Sequence, residues 1–266
     1  MSFYQPENLP KIMIAPNGAR PKKKDHIEVP VTIDEVVETA KLCFDEGAEG
    51  IHFHLRDEKG DHILSSEMCL KALNDLQLSV PNMHLQVTTE AVGRYSPSEM
   101  RNLAYEVAPP GISIGIREMI PSRNPTEEDI KLYQSLTENG TKIQHICYEP
   151  EDLDLLSDLL NKGKISKDGT WCLFVIGHYS GKISDPNKIP LFLDKLNNNN
   201  LNADWAVCAF GKEEIDCLKK AISLDGKIRI GFENSMLMPN GEIAPNNHTK
   251  VKAVKAVSYT HLRAHE

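Results

Sequence analysis

Two histidines separated by a single residue are the part of this sequence most suited to chemistry. His52 and His54 lie within segment 50–56, a short apolar run with the composition of a buried β-strand. Because alternate residues of a strand face the same side, the two imidazoles share one face, while Ile51 and Phe53 share the other. Two imidazoles on one strand face provide half of a mononuclear zinc site. A pair of hydrogen-bonded core histidines is the alternative interpretation of the motif taken alone.

A carboxylate near the other end of the chain could complete this site. Glu233 follows segment 228–232, and on a strand it shares a face with Arg229 and Gly231. Two histidines and one carboxylate that leave coordination positions open are typical of catalytic rather than structural zinc. Taken alone, Glu233 could equally cap a helix or form an ion pair. Together with the two histidines, it favours a zinc site with three protein ligands.

Further polar residues follow the other apolar segments of the sequence. In a barrel of parallel strands, the residues after each strand collect at one rim, where the chemistry takes place. Packing alone does not account for so many polar groups at such positions. They are Asn17, Arg20, Arg56, Thr88, Thr89, Glu90, Ser113, Arg117, Tyr148, Glu149, His178 and Asn234.

Short β-rich segments alternate along the chain with longer amphipathic ones. Most of the short segments are continuously apolar, as expected of parallel strands that are covered on both faces. Together they predict eight strands, at residues 11–16, 50–56, 84–89, 112–115, 142–147, 171–176, 205–210 and 228–232.

Helix signals occupy the intervals between these strands. Thr32 and Glu35 form a capping box for a helix that ends near Gly47. Ser96 and Thr126 are predicted to cap two further helices. Other helical stretches are predicted at residues 151–160, 189–196, 212–224 and 250–256.

This alternation predicts a single-domain (β/α)8 barrel, or TIM barrel, that spans residues 1–256. A doubly wound open sheet also alternates strands and helices, but its first strand is normally followed by a glycine-rich phosphate turn. Residues 15–20 lack the Gly-x-Gly-x-x-Gly pattern of such a turn. Residues 257–266 lose the helical periodicity and resemble a non-native tail, so we expect the last helix to be truncated.

Composition and charge exclude several classes of function. The 266-residue chain carries a net charge of −8 and has a pI near 5.7, which argues against binding to nucleic acids or anionic membranes. Its six cysteines include no Cys-x-x-Cys pair, and several lie in apolar segments, as reduced core thiols do. We find neither a signal peptide nor an apolar run of about 18 residues. These features predict a cytoplasmic protein.

Four segments together make the chain resemble the beta-keto acid cleavage enzymes, zinc-dependent (β/α)8 proteins related to 3-keto-5-aminohexanoate cleavage enzyme. The segments are 51–56, 86–89, 205–207 and 229–234. The resemblance implies that one zinc ion per chain is bound by the two histidines and the carboxylate already singled out. It further implies that four residues are catalytic or lie beside the substrate: Thr88, Ser113, Arg229 and Asn234.

The same resemblance implies an activity and two small-molecule partners. Members of the family condense a β-keto acid with acetyl-CoA and release acetoacetate together with a new acyl-CoA. Such chemistry requires a base that removes a proton from the carbon between the two carbonyl groups, and donors that hold the developing oxyanion. The resemblance also implies a homo-oligomer, specifically a tetramer.

The chain departs from the family pattern at two positions. Asn234 stands where the family commonly has an aspartate that transfers protons, and an amide cannot act as a base. Arg20 stands where the founding enzyme has a glutamate for the amino group of its substrate. We therefore expect a substrate that is neutral or anionic at that end, because a guanidinium repels a cation. Asn17 and Thr89 are predicted to contact the substrate together with Arg20.

A replacement for the missing base is predicted on the third strand. Glu90 directly follows Thr89, at a position where small residues are usual in the family. We predict that Glu90 transfers the proton. Its alternative role is that of an ion-pair partner for Arg94 or Arg117.

Two competing functions are compatible with parts of the sequence. A zinc hydrolase of the amidohydrolase type would use His145 and His178 as additional ligands, but such enzymes carry His-x-His on their first strand and aspartate on their last. A non-catalytic ligand-binding barrel would explain Asn234 and the irregular C-terminal segment. Two metal ions per chain would favour the hydrolase. Zinc binding without turnover of any β-keto acid would favour the ligand-binding barrel.

Overall fold

The strand that carries His52 and directly precedes His54 is hydrogen-bonded to a neighbour on each side, as every strand of a closed barrel is. The computed structural model describes residues 3–167 and 169–263, with side chains as far as residue 256. Eight parallel strands form a closed barrel in the order β1-β10-β9-β8-β7-β6-β5-β2, and β3 and β4 form a separate antiparallel hairpin. The strands are β1 (Ile12–Ile14), β2 (Gly50–Phe53), β3 (Leu55–Arg56), β4 (His62–Ile63), β5 (His84–Thr88), β6 (Gly111–Gly115), β7 (Lys142–Cys147), β8 (Thr170–Ile176), β9 (Ala203–Ala209) and β10 (Lys227–Ile230).

Helices follow the strands and cover the outside of the barrel. Thr32, Ser96 and Thr126 cap three of them, as the sequence predicts, and each forms a capping box in the structure. The helices are α1 (Ile33–Asp45), α2 (Ser66–Ser79), α3 (Pro97–Val107), α4 (Ile116–Met119), α5 (Glu127–Glu138), α6 (Asp152–Gly163), α7 (Ile189–Asn198), α8 (Glu214–Ile222) and α9 (Asn247–Arg263). The predicted (β/α)8 class is therefore confirmed.

The side chains on the two faces of a barrel strand pack into different parts of the hydrophobic core. On β8, Trp171, Leu173 and Val175 pack inside the barrel, whereas Cys172 and Phe174 pack against the outer helices. This alternation follows from the two-residue period of a strand. It explains why the barrel strands are apolar on both faces, and it determines which polar residues reach the interior.

The structure differs from the sequence prediction at four places. Strand β2 ends at Phe53 rather than continuing to residue 56, because the side chain of Asn17 accepts the backbone N–H of His54 and interrupts the ladder. The chain then turns back on itself through β3 and β4, and α2 follows. A short helix, α4, directly follows β6. Helix α9 continues to Arg263, beyond the boundary at residue 256.

Two further observations concern the whole chain. All six cysteines are buried free thiols, as the sequence predicts. Within the described residues, none of the helices combines the length and the apolar character that a membrane crossing needs.

Candidate active site

Three side chains from opposite ends of the sequence meet at the C-terminal mouth of the barrel. The Nε2 atoms of His52 and His54 lie 3.1 Å apart, and Oε2 of Glu233 lies 3.6 Å from each of them. A triangle with these sides has a point about 2.0 Å from all three atoms, which matches the bond lengths of zinc to histidine nitrogen and carboxylate oxygen. The residues present therefore fit a single metal ion.

The protonation of these groups also suits a cation. Burial and nearby positive charge, including that of Arg229, hold the pKa of His52 well below its usual range, and burial does the same for His54. Both imidazoles are therefore neutral, as metal ligands must be. Burial raises the pKa of Glu233 to about 7 although Arg229 opposes the change. Oε2 of Glu233 is buried and accepts no hydrogen bond from the described residues, so it lacks the partner that a cation would supply.

A chain of two glutamines fixes the orientation of His52. Oε1 of Gln86 lies 2.9 Å from Nδ1 of His52, and an amide oxygen can only accept a hydrogen bond. The proton must therefore be on Nδ1, which leaves the Nε2 lone pair directed at the cluster. Nε2 of Gln86 donates in turn to Oε1 of Gln144, 3.2 Å away across the barrel interior. The sequence analysis missed this role because an inward-facing glutamine has no characteristic motif.

Replacing Gln86 by leucine should weaken metal binding about 10- to 100-fold, because His52 loses the acceptor that holds its tautomer. The change nearly conserves side-chain volume, and metal affinity is measured by competition with a chromophoric chelator. Gln86→Glu is the matched control, since a carboxylate accepts the same hydrogen bond, and it should retain most of the affinity. Equal losses in both variants would contradict the orienting role.

His54 is positioned mainly through its backbone. Asn17 accepts its N–H at 3.1 Å and donates from Nδ2 to its carbonyl oxygen at 2.9 Å, so this buried asparagine holds the residue from both sides. Nδ1 of His54 has no hydrogen-bond partner among the described residues, and its nearest carboxylate oxygen is Oε2 of Glu90, at 3.8 Å. The ring of His62 packs at 4.9 Å between centroids. The ring of His62 and the carboxylate of Glu90 are therefore the neighbours of His54, the second predicted ligand.

Two glycines allow the chain to approach Glu233 closely. A Cβ atom on Gly231 would lie 2.2 Å from the carbonyl oxygen of Ala15, and its φ of 146° disfavours other residues. A Cβ atom on Gly18 would lie 2.5 Å from Cγ of Glu233. The close approach of the two loops lets the backbone N–H of Glu233 donate to the Ala15 oxygen at 3.1 Å. The third ligand is therefore held against the first strand of the barrel.

A buried ion pair anchors the turn that follows Glu233. Nζ of Lys250 lies 2.6 Å from Oε2 of Glu214, and both side chains are 1% exposed. The same ammonium donates to the carbonyl oxygen of Ser235. Helices α8 and α9 thus clamp the turn from outside, a role that the sequence prediction of a helix near residue 250 did not include.

Two residues of the barrel strands, Arg229 and Ser113, carry buried hydrogen-bond donors without partners in the described part of the chain. Nη2 of Arg229 donates to Oε1 of Glu233 at 3.1 Å, while its buried Nε and Nη1 have no partner among the described residues. The buried hydroxyl of Ser113 is also without a partner. Thr88 is its register neighbour on the next strand, and its hydroxyl accepts the backbone N–H of Glu90 at 3.0 Å. Buried donors of this kind are suited to holding an anionic substrate group.

A cavity of about 340 Å³ opens above the cluster, and Arg20 and Glu90 form part of its wall. Nη1 of Arg20 donates to Oε1 of Glu90 at 2.6 Å, and its guanidinium lies 3.6 Å from the ring centroid of Tyr179. Arg94 and Arg117, the partners considered for Glu90 in the sequence, instead contact the His62 carbonyl oxygen and Asp152. The lining residues are Ala19, Arg20, Pro21, Asp25, His52, Thr88, Glu90, Ile146, Tyr148, Val175, His178, Tyr179, Cys208, Phe210, Arg229, Glu233 and Met236.

Five predicted site residues do not line this cavity: His54 and Ser113, described above, and Asn17, Thr89 and Asn234. Asn17 is occupied with the backbone of His54 and Pro30. The hydroxyl of Thr89 donates to the Ser113 carbonyl oxygen at 2.9 Å. The amide of Asn234 is buried, and neither of its polar atoms has a hydrogen-bond partner in the described part of the chain.

The two extra histidines of the hydrolase alternative are not part of the cluster. His145 lies on the outer face of β7, where its ring stacks on Tyr133 and its Nδ1 lies 2.9 Å from the Trp171 carbonyl oxygen. His178 forms part of the cavity wall, and its Nδ1 lies 2.7 Å from Oγ of Ser180. The strand period that brings Gln144 inward turns His145 outward.

The closed barrel and the histidine–carboxylate cluster at its C-terminal mouth define a (β/α)8-barrel enzyme with a candidate metal centre. The chain belongs to the beta-keto acid cleavage enzyme family, which it matches over residues 11–263. The resemblance inferred from the four sequence segments is therefore confirmed.

The chain aligns with named relatives over most of its length. It is 25% identical over 244 residues to the 3-keto-5-aminohexanoate cleavage enzyme of Acetoanaerobium sticklandii, which covers 89% of this chain and 87% of the relative. It is 23% identical over 251 residues to the 3-oxoadipate:acetyl-CoA acetyltransferase of Cupriavidus necator, with coverages of 92% and 87%. A 3,5-dioxohexanoate:acetyl-CoA acetone transferase from Paraburkholderia graminis is 20% identical over 276 aligned positions, with coverages of 92% and 88%.

Solved structures share the fold. The complex of ObcA with oxaloacetate superposes with a TM-score of 0.69 at 12% identity, and the match covers 90% of this chain but 64% of ObcA. A type I 3-dehydroquinate dehydratase from Clostridium difficile gives a TM-score of 0.61 at 9% identity, covering 97% of this chain and 94% of that one. At these identities, the superpositions establish the barrel architecture.

Proposed function

We propose that this protein is a zinc-dependent beta-keto acid cleavage enzyme that uses acetyl-CoA as its second substrate. It would convert R–CO–CH2–COO⁻ and acetyl-CoA into acetoacetate and R–CO–CoA. The observation that carries the proposal is the cluster of His52, His54 and Glu233, of which His52 and Glu233 line a cavity, in a member of this family. Two of the characterised relatives are named as transferases that use acetyl-CoA.

Zinc is the metal that we propose for the cluster. Two neutral imidazole nitrogens and one carboxylate oxygen form the ligand set of many catalytic zinc sites, in which further positions remain open for substrate. A bound zinc ion would polarise the keto group of the substrate and so make the adjacent carbon more acidic. Calcium and magnesium are less suitable because they prefer sets made entirely of oxygen ligands.

The residues around the cavity account for the remaining steps. Glu90 would remove the proton from the carbon between the keto and carboxylate groups, and that carbon then attacks the thioester carbonyl. The CoA thiolate leaves and adds to the keto carbon of the original substrate. The bond between that carbon and the attacking carbon then breaks, and the proton taken by Glu90 returns to the acetoacetate carbanion. Arg229, which lines the cavity, and Ser113, the register neighbour of Thr88, carry buried donors without partners among the described residues, and these would stabilise the oxyanions that form.

Asn234 is not suited to the proton transfer. Its amide has no basic oxygen at working pH and does not line the cavity. Glu90 lines the cavity, and its Oε2 lies 3.8 Å from Nδ1 of His54, a predicted zinc ligand. The proposed base therefore follows the third barrel strand, β5, rather than the last one, β10.

A direct test incubates the zinc-loaded protein with acetyl-CoA and a panel of β-keto acids and measures acetoacetate. We expect acetoacetate to form only when both substrates and the metal are present. The panel should include unaminated, aminated and dicarboxylic compounds. Stoichiometric zinc binding without acetoacetate from any substrate would instead favour the non-catalytic barrel.

Arg20 should decide which end groups the substrate can carry. It lines the cavity beside Glu90, and its fixed positive charge disfavours a distal ammonium group and can hold a carboxylate. We expect faster turnover of a dicarboxylic β-keto acid than of its aminated counterpart. In Arg20→Gln, the ratio of their kcat/KM values should fall about 10- to 100-fold, the contribution of one hydrogen bond to a charged group. Preference of the unmodified protein for the aminated compound would contradict this assignment.

The oligomeric state stays a prediction based on the family. We expect a tetramer in solution, which light scattering coupled to size-exclusion chromatography measures directly.

A further inference from the structure

A second cavity, of about 220 Å³, lies at the opposite end of the barrel strands from the metal cluster. Its wall includes Lys142 and Thr170, the first residues of β7 and β8, and residues of the helices α5 and α6. It shares no wall residue with the cavity above the cluster. Because a TIM barrel carries its active site at the C-terminal ends of the strands, this cavity lies outside the site described above.

Two buried polar atoms of residues that line this cavity have no hydrogen-bond partner in the described part of the chain. They are Oη of Tyr133, on α5, and Nε2 of His145, on β7, and these residues are 1% and 3% exposed. Their rings stack with 5.5 Å between centroids and 11° between planes. Since an unpaired buried polar atom costs free energy, two of them beside one cavity indicate that a ligand or ordered water supplies the missing partners.

The protonation of the two groups defines what a ligand must offer. Nδ1 of His145 lies 2.9 Å from the Trp171 carbonyl oxygen, which can only accept, so Nδ1 carries the proton and Nε2 is an acceptor. Burial lowers the pKa of His145 to about 4 and so keeps the ring neutral. Burial also raises the pKa of Tyr133, so its hydroxyl keeps its proton and can donate. A ligand hydroxyl group is both a donor and an acceptor, as this pair requires.

Lys142 gives the cavity a positive charge. It is the charged residue among the described residues that line the cavity, and no carboxylate is among them. Its ammonium lies 5.5 Å from the centroid of the Trp171 ring and forms no ion pair with a described carboxylate. A single ammonium without a partner is suited to a ligand that carries one negative charge, such as a carboxylate.

The rest of the cavity suits a ring. Its apolar wall is formed by Ile143, Leu160, Ile165 and Trp171. A cavity of about 150 Å³ holds benzene. A volume of about 220 Å³ therefore leaves room for one ring with two small substituents. A Cβ atom on Gly140, which also lines the cavity, would meet nothing within 4 Å, so a ligand has space to enter on that side.

We propose that this cavity is a second ligand site and that it binds a small phenolic acid, a single aromatic ring with one carboxylate and one hydroxyl group. The carboxylate pairs with Lys142, the hydroxyl group donates to His145 and accepts from Tyr133, and the ring packs against Trp171. The site does not depend on the proposed function, because it uses no residue of the metal cluster or of the cavity above it.

Binding of 3-hydroxybenzoate and 4-hydroxybenzoate tests this site. Each compound is titrated calorimetrically into the zinc-loaded protein, and benzoate and phenol are the matched compounds that lack one of the two groups. We expect one molecule of a hydroxybenzoate to bind per chain. Benzoate should bind about 3- to 10-fold more weakly, because it lacks a neutral hydrogen bond, and phenol about 10- to 100-fold more weakly, because it lacks the charged one.

Variants of two wall residues locate the bound compound. Lys142→Gln should raise the Kd of the hydroxybenzoate about 10- to 100-fold, and Tyr133→Phe about 3- to 10-fold. Tyr133→Phe should leave the Kd of benzoate unchanged, because benzoate has no hydroxyl group to lose a partner. Lys131→Gln, on the exposed surface of α5, is the charge-matched control and should bind the hydroxybenzoate normally.

Thermal unfolding separates loss of the site from loss of the fold. Without ligand, the Tm of Tyr133→Phe should equal or exceed that of the unmodified protein, because the variant loses a buried hydroxyl group that has no described partner. Equal hydroxybenzoate affinity in Lys142→Gln and in the unmodified protein would place the compound elsewhere, such as at the metal cluster, and would overturn the proposal. Failure of both hydroxybenzoates to bind the unmodified protein would also overturn it and leave the cavity to water.

Discussion

Replacing Glu233 by glutamine should abolish stoichiometric metal binding and lower turnover by about three orders of magnitude. The amide keeps the shape of the side chain but removes the negative charge that lies 3.6 Å from both histidine nitrogens. The predicted loss of turnover corresponds to several kcal/mol of transition-state stabilisation supplied by a bound metal ion. Metal content is measured by inductively coupled plasma mass spectrometry on the purified protein.

Two histidine variants provide the controls for metal binding. His145→Gln and His178→Ala should each retain one zinc ion per chain, because neither imidazole belongs to the cluster. The hydrolase alternative predicts loss of metal in both. One ion per chain in Glu233→Gln would show that this carboxylate is not a ligand.

Glu90→Gln should lower turnover by about two to four orders of magnitude while zinc content stays at one ion per chain. The glutamine keeps a side chain of the same size beside Arg20, but it cannot accept a proton. Steady-state kinetics under saturating acetyl-CoA measure the effect. Glu138→Gln, on the exposed end of α5, is the control and should have normal turnover.

A small effect of Glu90→Gln would return this residue to a structural role. Its carboxylate would then serve mainly as the ion-pair partner of Arg20 and would lie close to Nδ1 of His54 without taking part in the reaction. In that case Asn234→Asp becomes the informative variant, because it restores the carboxylate that the family commonly has. We expect Asn234→Asp to change turnover far less than Glu90→Gln does.

The fold and the metal cluster could be predicted because both depend on local patterns. Continuous apolar segments indicate parallel strands, and the three predicted capping residues place helix starts to the residue. The two-residue strand period puts His52 and His54 on one face without any knowledge of the rest of the molecule. Barrel closure then brings the last strand beside the first, so Glu233 reaches the same mouth.

The contacts that orient the cluster could not be predicted in the same way. The chain from Gln144 through Gln86 to His52 depends on the register of neighbouring strands and on which amide atoms face each other. The ion pair of Arg20 and Glu90 joins two loops seventy residues apart, and loop conformation follows from no periodicity. Asn17 illustrates the same limit, because its position after the first strand predicted a substrate contact, whereas its side chain binds the backbone of His54.

Helix α2 was missed for a different reason. Its first turn is capped by Ser65, but its apolar residues Met68, Cys69 and Leu73 are interspersed with polar ones. The hairpin of β3 and β4 before it contains only two residues in each strand, too few to show an alternating pattern. Tertiary packing against the barrel determines both elements.

The most direct test of the proposed function follows carbon from acetyl-CoA into the products. The zinc-loaded protein is incubated with a β-keto acid and acetyl-CoA that carries ¹³C at both acetyl carbons, and the products are analysed by mass spectrometry and NMR. The proposed reaction predicts acetoacetate labelled at C3 and C4 together with an unlabelled new acyl-CoA, and none of either from His52→Ala. Label recovered only as acetate, or acetoacetate that carries no label, would contradict it.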